Sequence, residues 1–288
     1  MASYFQLTAL YLPYVFLGLS LVYCWTPTNT STVLFWLSIF SGLWFGIFHK
    51  EIFFVLLALG GCIVITRVFF NTPLKLVAHG CFTALSFLLF FHKIPGFSNI
   101  KVFNNLQICE TCAPFTMYLN TEGSLIAFVL ISMAIPLAHS EKDWGLICKT
   151  SFTYLSACIL VLIVGALSLG YVKFEPKLPS QTFLFALNNL ILVCIAEEAF
   201  FRGYIQKHLT NFCDRNMYPK YLAVIGASVL FGLRHFNSGV PMILLSTLAG
   251  LFYGAAYMKT NRLETSILVH FGLNITHFLL FSYPFLIR

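Results

Sequence analysis

The 288-residue sequence contains few charged residues: only 9% are Asp, Glu, Lys or Arg, whereas a soluble domain carries about 25%. The 17 basic and 10 acidic side chains are too few to cover the surface of a water-soluble globule of this size. A soluble enzyme and a disordered chain are therefore excluded. The basic residues stand singly between apolar runs and form no continuous positive patch, so we expect no nucleic-acid partner.

Basic residues are also missing from the N-terminal region, where the first Lys or Arg is Lys50. A cleavable secretory signal peptide begins with a positively charged segment. The absence of such a segment predicts that the first apolar run is retained as a membrane span.

The nine cysteines lack the even number and regular spacing of a disulfide framework. Most lie within or beside apolar runs, where a thiol commonly packs as a small hydrophobic group. Cys109 and Cys112 form a single CxxC pair within residues 93–121, which mix charge, Pro, Asn and aromatics and are predicted to be a loop with an interfacial segment. Without a second pair, the motif favours an ordinary loop over a metal or redox site.

Apolar residues dominate the sequence, with 59% hydrophobic and 17% aromatic residues. A transmembrane helix needs about 20 mostly apolar residues, and ten stretches come near that length. They are about residues 4–25, 32–49, 52–70, 74–92, 122–139, 150–170, 182–206, 219–236, 240–258 and 264–284. This pattern predicts an all-α polytopic bundle of about ten transmembrane helices, which makes the lipid bilayer its first partner.

Ionisable side chains are distributed unevenly among these ten stretches. The first six contain little besides Arg67 and His79, each near an end. The last four hold polar side chains that hydrocarbon strongly disfavours, and such groups usually mark a functional site. These side chains are Glu197, Glu198, Arg202, His235, His270, Asn274 and His277. The chemistry is therefore predicted to lie in the C-terminal third of the chain.

Glu197 and Glu198 are adjacent carboxylates in an apolar helix, where repulsion and burial push at least one of them toward protonation. Glu198 and Arg202 stand four positions apart with the acid first, which is the favourable order for an ion pair. Glu197 then lies about 100° away around the helix and is available as a general base. The alternative is a structural pair of acids that joins helices.

His270 and Asn274 share one face of the last helix, and His277 lies near that face. His235 stands near a helix end, where an interfacial role is the alternative. A carboxylate and two imidazoles could activate a water directly, or Glu197, His235 and His270 could together hold Zn²⁺. Asn274 or a histidine could stabilise the oxyanion of a tetrahedral intermediate. These groups predict water-dependent cleavage of an amide bond within the membrane.

The polar residues fall into three short motifs in a fixed order. In chain order, they are Glu197-Glu198-x-x-x-Arg202, Phe231-x-x-x-His235 and His270-x-x-x-Asn274. This ordered set resembles the signature of the CPBP (CAAX protease and bacteriocin-processing, or Abi) family of intramembrane endopeptidases. The resemblance covers about residues 182–284 and implies a CPBP/Abi-type catalytic core over residues 181–288. Residues 1–180 carry no motif of the family and are predicted to form an N-terminal membrane module of about six spans.

The resemblance also implies a role for each motif residue. Glu197 corresponds to the glutamate that activates water, and the Glu198–Arg202 ion pair supports its helix. The histidines and the asparagine of the other two motifs would position the water and stabilise the oxyanion. The family has been described both as metalloproteases and as metal-independent glutamate proteases. The expectation here is water activated by glutamate, with Zn²⁺ held by Glu197, His235 and His270 as the alternative.

The substrate implied by the resemblance is a membrane-embedded or membrane-presented protein or peptide. The short chain without a lumenal domain favours a bacterial inner (plasma) membrane. A transporter is one competing class, but it should show a two-fold repeat with matching polar positions. A catalytically silent scaffold is another, favoured by small-residue pairs such as Gly42/Gly46 and Gly250/Gly254. Other intramembrane protease classes lack support, because the chain has no HExxH, GxGD or GxSG motif.

Overall fold

The computed structural model describes residues 9–69 and 73–287, and the chain is mostly helical, with about 70% of its residues in helices. The helices are α1 (Leu12–Tyr23), α2 (Thr30–Trp44), α3 (Ile52–Val68), α4 (Pro73–Phe90), α5 (Glu122–Met133), α6 (Glu141–Ser168), α7 (Thr182–Arg215), α8 (Tyr221–Leu233), α9 (Val240–Thr260) and α10 (Leu263–Leu280). Two strands, β1 (Lys101–Leu106) and β2 (Phe115–Tyr118), lie between α4 and α5 and form a two-stranded sheet.

The chain divides into two compact units. Unit 1 comprises the described residues up to Lys101 together with Tyr118–Ile135 and Ile191–Ala196. Unit 2 comprises Val102–Met117, Pro136–Leu190 and the described part of the chain from Glu197 onward. In unit 2, α6 packs against α9 and α10. The boundary at residue 180, between the predicted membrane module and the predicted catalytic core, concerns function rather than compactness. It stays a prediction.

The protein is an integral membrane protein. Five helices, α4, α6, α7, α9 and α10, are long and apolar enough to cross a bilayer. Large apolar side chains point outward, including Phe152 on α6 and Phe183 on α7, which are 75% and 78% exposed. Extended exposed apolar surface is unfavourable in water and is characteristic of a surface that contacts lipid or a partner.

Ten membrane spans are not confirmed. Every predicted stretch contains a helix, but α1, α2, α3, α5 and α8 are shorter than the five others. A helix of 12 residues such as α5 rises about 18 Å, which is well short of the bilayer hydrocarbon thickness. Positions 4–8 and 70 of the predicted spans lie outside the described residues.

Local sequence explains why two of these helices end before the apolar stretches that contain them. Helix α5 ends at Met133, because Pro136 has no backbone N–H and disfavours helical geometry at Ile135. Helix α2 ends at Trp44, and two residues later Gly46 takes a φ of 71°, in the left-handed region that favours glycine. Apolar composition therefore overestimates helix length where Pro or Gly interrupts it.

Unit 1 is held together by close helix contacts and by one buried acid. The Ser38 hydroxyl on α2 donates to the carbonyl of Pro13 on α1 at 2.7 Å. Phe35 stacks on Phe128 of α5 with ring centroids 3.8 Å apart. Glu122, in the first turn of α5, is buried and forms hydrogen bonds with residues from the segment after α4.

Residues 93–121 contain more regular structure than the predicted loop. They hold β1 and β2, and Phe115 and Met117 of β2 pack with Phe185 of α7 and Phe278 of α10. One disulfide joins Cys109 and Cys112, so the expectation of an ordinary loop there is wrong. The sheet is consequently part of the core of unit 2, next to the two helices that carry most of the predicted site.

Glu141, Lys142 and Asp143 form the first turn of α6, which therefore begins nine residues before the predicted stretch 150–170. Ser140 caps the helix, and its Oγ accepts a hydrogen bond from the backbone N–H of Asp143 at 3.1 Å. Asp143 also forms an ion pair with Arg262 at 2.9 Å. Acidic residues in the first turn favour the positive end of the helix dipole, so this charged stretch begins a helix.

Candidate active site

The two adjacent acids lie in α7 between two π-helical segments. Asn189–Cys194 and Ala199–Gln206 are π-helical, and the short α-helical turn Ile195–Glu198 separates them. π-Helical turns are rare and occur frequently at functional sites. They change the direction in which successive side chains point, which a 3.6-residue repeat in the sequence does not reveal.

Glu198 joins α7 to α10 through a buried network of side chains. Its Oε2 lies 3.2 Å from Nε of Arg202, and neither side chain is exposed. Its Oε1 is 2.9 Å from Nδ1 of His270. The structure thus contains the ion pair that the spacing predicts, and it adds His270 as a second partner of the same carboxylate.

Arg202 is anchored to α9 as well as to Glu198. Its Nη2 donates to the carbonyl of Gly250 at 3.0 Å. The guanidinium lies 4.7 Å from the ring centroid of Phe231 and 5.4 Å from that of Tyr253, distances typical of cation–π contacts. A Cβ at Gly250 would stand 3.1 Å from Cβ of Ser228 and 3.3 Å from Nη2, which is tight, so this close approach favours glycine. Gly250, one of the small residues in the Gly250/Gly254 pair, therefore leaves room for Arg202 beside α9.

Glu197 has a cationic partner that the sequence analysis missed. Its Oε1 lies 2.8 Å from Nη1 of Arg234, which directly follows α8. The Glu197 side chain is 3% exposed and that of Arg234 is 22% exposed. A buried carboxylate requires a partner, and Arg234 stands next to His235 in the second motif. Its position next to His235 is the feature of the sequence that could have indicated Arg234 as a site residue.

Each predicted histidine has one ring nitrogen engaged by the protein. His235 donates from Nδ1 to the carbonyl of Phe231 at 3.0 Å, because a carbonyl can only accept. His270 uses Nδ1 toward Glu198, and its ring stacks on Tyr253 with centroids 4.6 Å apart. In both residues Nε2 is the nitrogen that could contact a water or a substrate.

Asn274 lies against a second residue that the sequence analysis missed. Its Nδ2 donates to Oδ1 of Asn189 at 3.2 Å, and Asn189 is the first residue of the first π-helical segment. His277, one turn further along α10, forms a hydrogen bond from Nε2 to the carbonyl of Ser282 at 3.2 Å. That bond fixes the end of α10, which agrees with a structural role for His277.

The predicted zinc ligands do not form a converging donor set. A metal site needs several donor atoms close together. Among residues 9–69 and 73–287, one group of three His, Cys, Asp or Glu side chains has all its donor atoms within 4.8 Å of one another, and it consists of Cys109, Cys112 and Glu175. Glu197, His235 and His270 make no such group in that part of the chain, and Glu197 pairs with Arg234 instead. As arranged, these three side chains do not fit a shared zinc ion.

The site thus combines buried acids, guanidinium groups, imidazoles and amides on helices of an apolar bundle, which defines a membrane protein with a buried polar cluster. The family model described as type II CAAX prenyl endopeptidase Rce1-like matches residues 179–276, about a third of the chain. The match spans all three motifs and confirms the resemblance to the CPBP proteases. No curated protein and no solved structure is significantly similar to the chain.

Proposed function

We propose that the protein is an intramembrane endopeptidase that cleaves a peptide bond by direct attack of water. The observation that carries this proposal is the buried network of Glu197, Glu198 and His270 with its arginine partners, inside the segment that matches the protease family. No comparable observation favours a transporter or a silent scaffold.

Glu197 is the proposed general base. Its carboxylate takes a proton from water while the water oxygen bonds to the carbonyl carbon of the scissile amide. The tetrahedral intermediate then collapses, the C–N bond breaks, and the proton passes from Glu197 to the leaving amine. Arg234 supports this role, because an adjacent guanidinium stabilises the charged form of a buried carboxylate. No covalent acyl-enzyme forms.

Glu198 and Arg202 are positioning residues in this mechanism. Arg202 is tied to the carbonyl of Gly250, and Glu198 accepts from Nδ1 of His270. The pair fixes the orientation of the imidazole through Nδ1 and leaves Nε2 as the ring nitrogen for further contacts. A histidine oriented through its second nitrogen by a carboxylate is a recurrent arrangement in hydrolytic sites.

The oxyanion of the intermediate would be stabilised by Asn274 and by the histidines. Asn274 has two amide N–H groups, and one of them donates to Asn189. Donors held in place before the reaction stabilise developing charge without reorganisation. His235, fixed through Nδ1 on the carbonyl of Phe231, would hold the attacking water or contribute to this stabilisation.

The proposed substrate is a prenylated peptide at the carboxyl end of a membrane-presented protein. This class follows from the family description, and an apolar bundle that exposes large hydrophobic side chains suits a lipid-modified substrate. The prenyl chain would remain in the lipid while the peptide bond beside it reaches the polar centre. Cleavage would release the residues that follow the modified cysteine.

The test uses the full chain purified in detergent or reconstituted in lipid vesicles. A farnesylated peptide ending in a CAAX sequence is compared with the same peptide without the prenyl group, and products are identified by mass spectrometry. We expect cleavage after the farnesylated cysteine, much slower cleavage of the unmodified peptide, and none with a Glu197→Gln/His270→Ala double variant. Equal cleavage by the wild type and the double variant would show a contaminating protease and contradict the proposal.

A further inference from the structure

A second chemical cluster in unit 2 lies outside the spans and outside the proposed reaction centre. It comprises Cys109, Cys112 and Glu175, whose sulfur and carboxylate atoms all lie within 4.8 Å of one another. Cys112 is fully buried, and the other two are partly buried. The two sulfurs are joined as a disulfide, and after reduction two thiolates and a carboxylate would offer donor types that zinc prefers, in a CxxC spacing that is frequent in zinc sites.

Hydrogen bonds around the cluster resemble the outer shell of a metal site. The hydroxyl of Thr111 donates to Oε2 of Glu175, which orients the carboxylate. The backbone N–H of Tyr283 donates to Sγ of Cys112 at 3.3 Å. Groups that orient first ligands and donate to them are common in metal centres and contribute strongly to affinity. A bare disulfide needs neither contact.

We propose that Cys109, Cys112 and Glu175 form a redox-controlled zinc site. A dithiol reductant cleaves the Cys109–Cys112 bond by thiol–disulfide exchange; the reductant becomes a disulfide, and its two electrons and two protons leave two thiols on the protein. Zn²⁺ then binds both sulfurs as thiolates, releasing their protons to solvent, with the Glu175 carboxylate as third ligand and water as the fourth.

The local charge suits a divalent ion. Lys177, two residues after Glu175, donates from Nζ to the backbone carbonyl of Glu175 at 3.4 Å and to that of Phe281. Two thiolates and one carboxylate beside one lysine and Zn²⁺ carry no net charge together. A neutral cluster avoids the desolvation cost of an uncompensated charge in a partly buried position.

The two states would constrain the chain differently. The disulfide closes a loop of four residues, whereas the metal would also join that loop to the segment containing Glu175. This segment is hydrogen-bonded to the end of α10, since the N–H groups of Glu175 and Lys177 donate to the carbonyls of Leu280 and Leu279. Zinc would therefore fasten the loop to the end of the helix that carries His270 and Asn274. The inference is independent of the proposed peptidase activity.

The experiment titrates Co²⁺ and Zn²⁺ into the full chain in detergent, before and after reduction with a dithiol and removal of the reductant without oxygen. Thiolate ligation of Co²⁺ produces a charge-transfer absorption that carboxylate and imidazole ligands do not produce. We expect one Co²⁺ per reduced chain with this absorption, displacement by Zn²⁺, and no such absorption for the oxidised chain. Glu175→Gln should weaken binding by about tenfold or more while keeping the absorption.

A matched control separates this cluster from the other thiols. Cys109→Ser/Cys112→Ser should abolish the charge-transfer absorption, whereas Cys81→Ser/Cys148→Ser, at two exposed free cysteines, should retain it. The inference is overturned if the reduced wild type gives no absorption, if Cys109 and Cys112 resist reduction, or if the absorption survives in Cys109→Ser/Cys112→Ser. The comparison of the reduced with the oxidised wild type tests the inference even if a variant fails to fold.

Discussion

In unit 1 the buried carboxylate of Glu122 is held by a short structural network of hydrogen bonds. It is 2% exposed, and the side-chain amide of Asn99 donates to both of its oxygens, at 2.9 and 2.8 Å. His92, itself about half exposed, lies 2.8 Å away through Nδ1. Asn99 also accepts from the backbone N–H of Thr121. These contacts tie the segment after α4 to the start of α5.

In unit 2 the buried acids have a different kind of partner. Glu197 contacts the guanidinium of Arg234, and Glu198 contacts that of Arg202 and the imidazole of His270. These partners come from α7, α10 and the end of α8, so three elements converge on two adjacent carboxylates. The comparison separates an acid that holds a loop, with an amide and a half-exposed histidine as its partners, from acids that pair with guanidinium groups and of which Glu198 also contacts a buried histidine.

Arg202→Ala should produce the largest effect on the fold. It would leave Glu198 as a buried charge without its guanidinium, and breaking a buried ion pair typically costs about 3–5 kcal/mol. We expect a lower yield, a lower Tm and loss of activity, measured by thermal unfolding in detergent and a peptide-cleavage assay. Arg215→Ala, at an exposed position near the end of α7, is the control and should match the wild type. A wild-type Tm for Arg202→Ala would contradict the ion-pair assignment.

Arg234→Ala should separate activity from stability. Arg234 is partly exposed, so water can solvate Glu197 when the guanidinium is removed, and the fold should lose less than in Arg202→Ala. A hydrogen bond to a charged group contributes about 1.5–3 kcal/mol, which predicts at least a tenfold lower kcat/KM. Arg234→Lys keeps the charge and should recover part of the loss. Equal kcat/KM for all three proteins would exclude Arg234 from the site.

Asn99→Ala tests the other side of the comparison. It removes an amide that donates to both oxygens of Glu122, and an incompletely satisfied buried group costs about 1–3 kcal/mol. We expect a lower Tm with kcat/KM unchanged when both are measured on the same preparation. A loss of kcat/KM at wild-type Tm would show that unit 1 takes part in the reaction and would remove the distinction between the two kinds of acid.

Asn189→Ala should give the smallest effect. It removes one neutral hydrogen bond to Asn274, worth about 0.5–1.5 kcal/mol, so kcat should fall by up to roughly tenfold while KM stays constant. Asn188→Ala is the neighbouring control, because Oδ1 of Asn188 has no hydrogen-bond partner. Equal kcat values in the two variants would show that Asn189 does not position Asn274.

The sequence predicts the main features of the site because charge is expensive in hydrocarbon. Glu197, Glu198, Arg202, His270 and Asn274 stand out against apolar helices, and the ordered motifs agree with the family match. Their catalytic roles remain predictions, as does the bacterial membrane. The helical architecture follows from the same apolar composition, but helix length does not, because single Pro and Gly residues end helices within apolar runs.

Other features depend on contacts that are distant in sequence. Arg234 is at a helix end, where a basic residue is expected at the membrane interface, and only its position next to His235 in the sequence indicates that it belongs to the site. Asn189 is 85 residues from Asn274. Glu122 is at the start of a predicted span and was overlooked there, because its partners come from the preceding segment. The π-helical turns of α7 likewise depend on packing rather than on a repeat in the sequence.

The most direct test of the central claim is kcat/KM for Glu197→Gln and Glu122→Gln beside the wild type, with the metal content of each preparation determined after exhaustive chelation. We predict that the chelated wild type and Glu122→Gln cleave the prenylated peptide at similar rates. Glu197→Gln should be slower by roughly 10²–10⁴-fold at an unchanged Tm, the range for loss of a general base. Full cleavage by Glu197→Gln would contradict the account.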